Sequence, residues 1–258
     1  MPYVDRNGVR IYYEDRGAGP AILLTHGYTA TLRMWDRQVD AFADRYRMIC
    51  WDMRGHGESD SPDDAGAYSH AATVADMTAI LDTCGVAEAI VGGLSLGGFM
   101  SLAFHLAHRD RVRALMLFDT GPGYKKDDGR AQWNRLAESY AARFEAQGLA
   151  ALGNSSEVRV AKHHSAQGLA HAARGMLAQR DAAVIEALPH IAVPTLLLAG
   201  ANDKPFLAGM DYMAAKIPTA TKVLIDDAGH APNIEQPAAF NEAVASFLAR
   251  AVLSSALP

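Results

Sequence analysis

The stretch VGGLSLGGFM, residues 91–100, holds one hydroxyl, that of Ser95, between glycines in an otherwise apolar run. AIVGGL (89–94) is short and continuously apolar, which predicts a strand buried on both faces, and FMSLAFHLAH (99–108) carries a helical pattern. Gly93-Leu94-Ser95-Leu96-Gly97 thus fits G-x-S-x-G in the setting strand, sharp turn, helix. The reason is steric: a nucleophile held at such a turn adopts a strained backbone, and its flanking residues must be small. Its hydroxyl then stands above the carboxyl ends of the strands, where open α/β sheets bind ligands. The alternative is a helix-capping serine after a glycine-rich turn.

Working outward, the chain alternates strand and helix. YVD, the turn Asn7-Gly8 and VRIYYED predict a hairpin. AILLTHG (21–27), RMICWDM (47–53), VRALMLFDT (112–120), PTLLLAGAN (194–202) and TKVLIDD (221–227) predict further strands. A helix is predicted from His70 to Cys84, with Val74, Met77, Ile80 and Leu81 on one face, and AAFNEAVASFLARAVL predicts a closing helix. Together these imply an α/β fold with a mostly parallel, doubly wound sheet covered on both faces. Residues 121–189 break the rhythm with alanine-rich helical pattern and no convincing strand, so they are expected to form an inserted helical cap. The core is then built from residues 1–120 and 190–258.

Composition sets bounds. The 258 residues can form one sizeable core plus an insertion, with 50% hydrophobic and 21% charged residues, ordinary for a globular chain. A formal charge of -5 supplies no electrostatic reason to bind nucleic acid or an anionic membrane. The N-terminus is charged throughout, without the apolar core of a signal peptide, and no apolar run reaches membrane-spanning length, so a cytoplasmic location is expected. Cys50 and Cys84 read as small core residues rather than a disulfide framework.

A serine hydroxyl is a weak nucleophile until a base takes its proton, and the base needs an orienting carboxylate. Following the chain order Ser, acid, His, the candidates are Asp203, just past the strand of PTLLLAGAND, and His230, in the loop of VLIDDAGHAPNIEQP ahead of the last helix. Asp226 and Asp227 also stand near His230, where they read as strand-end caps or solvent-facing groups, and Asp119 offers another seat for the acid. Of the ten histidines, only His230 follows the last strand. His163, His164 and His171 lack the spacing of a metal site and read as surface or packing residues. Donors for a developing oxyanion are the backbone N–H groups of Leu96, right after the serine, and of Tyr28, just past His26-Gly27.

These residues together resemble the α/β-hydrolase superfamily, in its compact, cap-bearing serine branch. THGYTATLRMWD looks like the family's oxyanion-loop segment, DMRGHGESDSP (52–62) like its D-x-R-G-x-G-x-S loop and VGGLSLGG like its nucleophile elbow. GANDKP and DAGHAPNIEQP look like the acid and histidine loops. The resemblance implies that Arg54 makes buried hydrogen bonds and that His56 and Ser59 are scaffold. It also sets aside epoxide hydrolase and dehalogenase chemistry, whose members carry aspartate where this chain has Ser95. It implies a carboxylesterase with a Ser95–His230–Asp203 triad, acting on a small-molecule ester without metal or organic cofactor.

Substrate-binding candidates are Phe99, Tyr124, Trp133, Tyr140, Phe144, Met176 and Phe206, each of which could instead simply pack the cap on the core. The segment WNRLAESYAARFEAQGLAAL looks broadly like the cap of 3-oxoadipate enol-lactonases, so a lactone is the second substrate class. An anionic lactone would need an arginine, with Arg33, Arg135 and Arg143 as candidates. Carbon–carbon bond hydrolases, perhydrolases and triad-retaining ligand receptors share the same residues, and the oligomeric state is left open.

Overall fold

A computed structural model of the chain describes residues 2–253. In chain order it contains β1 (Tyr3–Arg6), β2 (Val9–Arg16), β3 (Ala21–Thr25), α1 (Asp36–Phe42), β4 (Arg47–Trp51), α2 (His70–Thr83), β5 (Ala89–Leu94), α3 (Leu96–Ala107) and β6 (Val112–Phe118). Then follow α4 (Asp127–Gln147), α5 (Ser156–Arg159), α6 (Ala166–Ala172), α7 (Ala183–Ala187), β7 (Thr195–Gly200), α8 (Lys204–Lys216), β8 (Ala220–Ile225), α9 (Pro232–Glu235) and α10 (Pro237–Leu253). Among the described residues the strands form one sheet in the order β1-β2-β4-β3-β5-β6-β7-β8. The first two join antiparallel and the rest run parallel. The expected α/β fold with a mostly parallel sheet is therefore what forms.

The hairpin turns as its sequence dictates, with Asn7 at φ 57° and Gly8 at φ 85°. In β3, β5 and β7 every residue is buried, because helices cover both sheet faces. Period-two alternation sorts each strand between two cores. Leu23, Ile49, Val91, Leu115 and Leu197 pack with Met77, Ile80, Leu81 and Phe104 of α2 and α3. Ile22, Leu24, Met48, Met116, Phe118 and Leu198 pack with Trp35, Phe42, Phe240 and Phe247 beside α1 and α10. α2 starts at His70, as its sequence predicts, and Ser69 caps it by accepting a hydrogen bond from the Ala72 N–H at 3.0 Å.

The apolar runs outlast the strands they predict: β3 stops at Thr25, β4 at Trp51 and β6 at Phe118. The residues beyond, His26-Gly27, Asp52-Met53 and Asp119-Thr120, turn out of the sheet at its carboxyl end yet stay buried there. Cys50 is buried and Cys84 half-buried, both as free thiols.

Between β6 and β7 the regular elements are all helical, joined by loops, with a π-helical turn at Ala173–Leu177. This segment has a small core of its own, Ala141, Phe144, Ala151, Leu169, Ala170 and Ala173. It is tied to the sheet's loops by Tyr28 Oη donating to the Leu169 carbonyl (2.9 Å), His163 Nε2 to the Thr29 carbonyl (2.9 Å), and Ser156 Oγ to Glu235 (2.8 Å). Among the described residues no helix is long and apolar enough to cross a membrane.

Candidate active site

Ser95 sits between β5 and α3 at φ 55°, ψ −115°, a backbone region that non-glycine residues avoid and that costs about 1–3 kcal/mol. Three hydrogen bonds hold it there. Its N–H donates to the Phe118 carbonyl (2.9 Å), and its carbonyl accepts from the Phe99 N–H (3.1 Å) and the Thr120 hydroxyl (2.6 Å). The flanking glycines answer to close approach: a Cβ on Gly93 would lie 2.5 Å from the Thr25 carbonyl oxygen, and one on Gly98 2.6 Å from Thr120 Cγ2. Gly97 lets α3 approach the end of β3, since a Cβ there would lie 2.2 Å from the Thr25 carbonyl oxygen.

Asp203 follows β7 and precedes the first turn of α8, its N–H bonded to the Gly200 carbonyl at 3.1 Å. The loop after β8 brings in His230, whose Nδ1 lies 2.7 Å from Asp203 Oδ2. That loop closes over Gly200 so tightly that any Cβ there would strike the Ala228 carbonyl. Because an ionised carboxylate only accepts, Nδ1 carries the ring proton and Nε2 is left as an acceptor. Phe206 lies against the imidazole with ring centroids 4.8 Å apart. Asp226 and Asp227 are both exposed.

The loop after β3 runs alongside the serine: a Cβ on Gly27 would be 3.5 Å from Ser95 Cβ. His26 beneath it is fully buried, and burial pushes its pKa down to about 3, so it is neutral. Its Nε2 accepts from the Met53 N–H (3.0 Å), which puts the proton on Nδ1, donating to the Gly27 carbonyl (2.7 Å). That carbonyl belongs to the peptide unit that ends in the Tyr28 N–H, so His26 fixes which way this N–H points. Leu96, as the first residue of α3, has an N–H with no acceptor inside the helix.

Two cavities meet at Ser95. The smaller, about 290 Å³, is walled by Leu96, Phe99, Gly121, Tyr124 and Gly209, among others. The larger, about 500 Å³, is walled by Tyr28, Tyr140, Arg143, Phe144, Asp203 and His230, among others. Trp133, Leu177 and Phe206 face both. Thus Phe99, Tyr124, Trp133, Tyr140, Phe144 and Phe206 all lie on cavity walls. Met176 does not: it is fully buried in the core, and the next residue, Leu177, takes the wall. Both residues lie in the π-turn, which has no marker in side-chain type. Of the three arginines, Arg143 reaches a cavity wall, whereas Arg33 pairs with Glu14 and Asp36 and Arg135 lines neither cavity.

The loop at 52–62 is scaffold. Arg54 forks onto buried Asp76 at 2.6 and 2.8 Å, and Ser59 Oγ donates to the Asp52 carbonyl. His56 is buried against His26 and His163, its ring 5.0 and 5.7 Å from theirs. Asp119 lies beside Asp203 and His230. It is fully buried, at φ 41°, and one oxygen of it, one of Asp203 and a ring nitrogen of His230 lie within 4.8 Å of one another. Among the described residues this is the one group with the composition and closeness to hold a metal ion.

The family profile of the alpha/beta hydrolase fold matches residues 20–183. The chain belongs to the α/β-hydrolase family and is a hydrolase of that type. It is 30% identical to 3-oxoadipate enol-lactonase 2 of Acinetobacter baylyi over 90% of this chain and 89% of that one. An esterase from Thermogutta terrifontis superimposes with a TM-score of 0.81 at 28% identity, covering 97% of each chain. The enol-lactonase of Burkholderia xenovorans LB400 superimposes with a TM-score of 0.77 at 28% identity, covering 96% of this chain and 100% of that one.

Proposed function

We propose that this protein is a serine hydrolase cleaving carboxylic esters of short to medium acyl chain through an acyl-enzyme on Ser95. The observation that carries the reading is the 2.7 Å contact of His230 Nδ1 with Asp203, which leaves Nε2 as a base in a cavity shared with Ser95. Ser95 Oγ attacks the ester carbonyl while His230 Nε2 takes its proton, and Asp203 stays ionised against the imidazolium. The N–H groups of Tyr28 and Leu96 hold the oxyanion, each such donor being worth about 3 kcal/mol to the transition state. The imidazolium then protonates the departing alkoxide. Water, deprotonated by His230, releases the acid and restores Ser95.

Residues 121–189 act as the cap in this reading. The smaller, mainly apolar cavity takes the acyl chain, and the larger one, with Arg143, takes the alcohol part. The mechanism calls on no metal or organic cofactor. Similarity to an esterase and to enol-lactonases supports ester or lactone chemistry. Arg143 favours a second reading, a lactonase for an anionic lactone.

Initial rates on p-nitrophenyl esters of increasing acyl length, for wild type and Ser95→Ala, test the first reading. Multiple turnovers on short chains, abolished by the substitution, are expected. If Ser95-dependent turnover is confined to a carboxylate-bearing lactone and falls in Arg143→Leu, the lactonase reading replaces it.

A further inference from the structure

Asp119 is a carboxyl group that the proposed mechanism leaves unused, and its surroundings are unlike those of a capping aspartate. It stands at the end of β6 with no solvent exposure, and Oδ1 accepts from the Gly200 N–H at 2.9 Å. Oδ2 is equally buried and has no hydrogen-bond donor facing it. What it has near it is another carboxyl group, that of Asp203, and behind that the ring of His230.

Two buried carboxylates with oxygens within 4.8 Å of one another disfavour each other's ionisation. Asp203 has the imidazole N–H to stabilise its charge, whereas Asp119 has one backbone donor and no cation. Charge on Asp119 would be buried and nearly unsolvated, which is far costlier than holding a proton there. Burial and the neighbouring carboxylates of Asp203 and Glu235 raise the affinity of Asp119 for its proton far above the usual carboxylate range. The charged and titratable groups facing it are therefore Asp203 from the β7 loop, His230 from the β8 loop and Glu235 from α9. A protonated Asp119 also resolves its orphaned oxygen, since a carboxylic O–H is a donor and Asp203 an acceptor.

We infer that Asp119 is a neutral carboxylic acid at working pH, donating its proton to Asp203 in a hydrogen bond that positions this carboxylate and lowers its basicity toward His230. Asp119 is a positioning residue in this scheme, and the inference rests on the reading of Asp203 as the acid of the triad. The proton stays on Asp119 throughout turnover. Its donation draws charge from Asp203, which makes the His230 imidazolium a stronger acid and keeps His230 neutral, and hence a base, to lower pH.

The test uses the pH dependence of Ser95 labelling by a fluorophosphonate, which needs no knowledge of the substrate. Asp119→Ala removes the donor, so the acid limb of the labelling rate should move up by about one pH unit, the worth of one charge-assisted hydrogen bond. Asp119→Asn restores an N–H donor in the same shape and should return most of that shift. A packing role alone would change the folded fraction, not the position of the limb.

An infrared difference spectrum between wild type and Asp119→Asn at neutral pH supplies a readout that does not depend on Asp119→Ala folding. The C=O stretch of a protonated carboxyl group should be present in wild type and lost in the variant. Absence of that band, or an acid limb at the same pH in both variants and wild type, overturns the inference while leaving the triad intact. Failure of wild-type Ser95 to label at all overturns the triad reading and the inference with it.

Discussion

The hydroxyl of Tyr28 donates to the carbonyl of Leu169 at 2.9 Å, across 141 residues of sequence. It joins the loop that follows β3 to α6, so the backbone proposed to hold the oxyanion and the helical segment are fastened by one side chain. Tyr28→Phe removes the fastening and keeps the backbone N–H. The expected cost is about 1 kcal/mol in stability. The loss in kcat/KM on p-nitrophenyl acetate should stay below about tenfold, against the several-hundredfold typical when an oxyanion donor is removed. A several-hundredfold loss in a folded Tyr28→Phe protein would mean that the side chain itself touches the reacting ester.

Strain at Ser95 makes a prediction about stability separate from activity. Both Ser95→Ala and Ser95→Gly lack the hydroxyl and should be inactive. At φ 55°, ψ −115° only glycine is comfortable, so Ser95→Gly should be more stable than Ser95→Ala by about 1 kcal/mol or more. Equal midpoints in urea would show that the elbow is held without strain.

The smaller cavity should set acyl preference. A Cβ on Gly209 would meet its nearest neighbour, Gly121 Cα, at 3.4 Å, ordinary contact, so a longer side chain can grow from α8 into the cavity. Gly209→Leu is expected to lower the octanoate-to-acetate ratio of kcat/KM roughly tenfold, the worth of one or two lost methylene contacts. An unaltered ratio would place the acyl chain in the larger cavity instead.

Acid should loosen the molecule through its buried histidines. Burial lowers the pKa values of His26, His56 and His163 below their ordinary value, His26 to about 3. Below pH ~6.5 the unfolded chain therefore binds protons that the folded one does not, and stability falls as the pH drops toward the folded values. His56→Phe removes one of these groups. Between pH 6.5 and 4 its unfolding free energy should fall less steeply than that of wild type, by up to about 1.4 kcal/mol per pH unit. Parallel slopes would mean that His56 is already protonated in the folded protein.

How far the site was legible in the sequence depended on whether a residue's role is local. Ser95, Asp203 and His230 each follow a strand, and strand ends are visible as the close of an apolar run. Hence all three are candidates on the sequence alone, and the structure adds the contact of His230 with Asp203 and a cavity that Ser95 shares with them. The scaffold roles of Arg54 and Ser59 came from the resemblance instead, since Arg54 finds its partner, Asp76, 22 residues away on α2. Met176, offered as a wall residue for its apolar side chain, is fully buried in a π-turn, a feature with no marker in side-chain type. For Asp119 the sequence offers only another seat for the acid, because nothing along the chain reveals that it and Asp203 share one buried volume.

By itself, then, the sequence determined the alternation of strand and helix, the two-faced burial of the sheet, and the turn at which a serine can stand strained between glycines. These follow from period, apolar run length and backbone sterics, which act over a few residues. Only the tertiary structure decided which side of a helix faces a cavity, which arginine reaches it, and that Asp119 and Asp203 adjoin one another. Those outcomes depend on crossing positions of elements tens of residues apart, and on the exclusion of water from the space between them, where a second carboxylate charge is disfavoured.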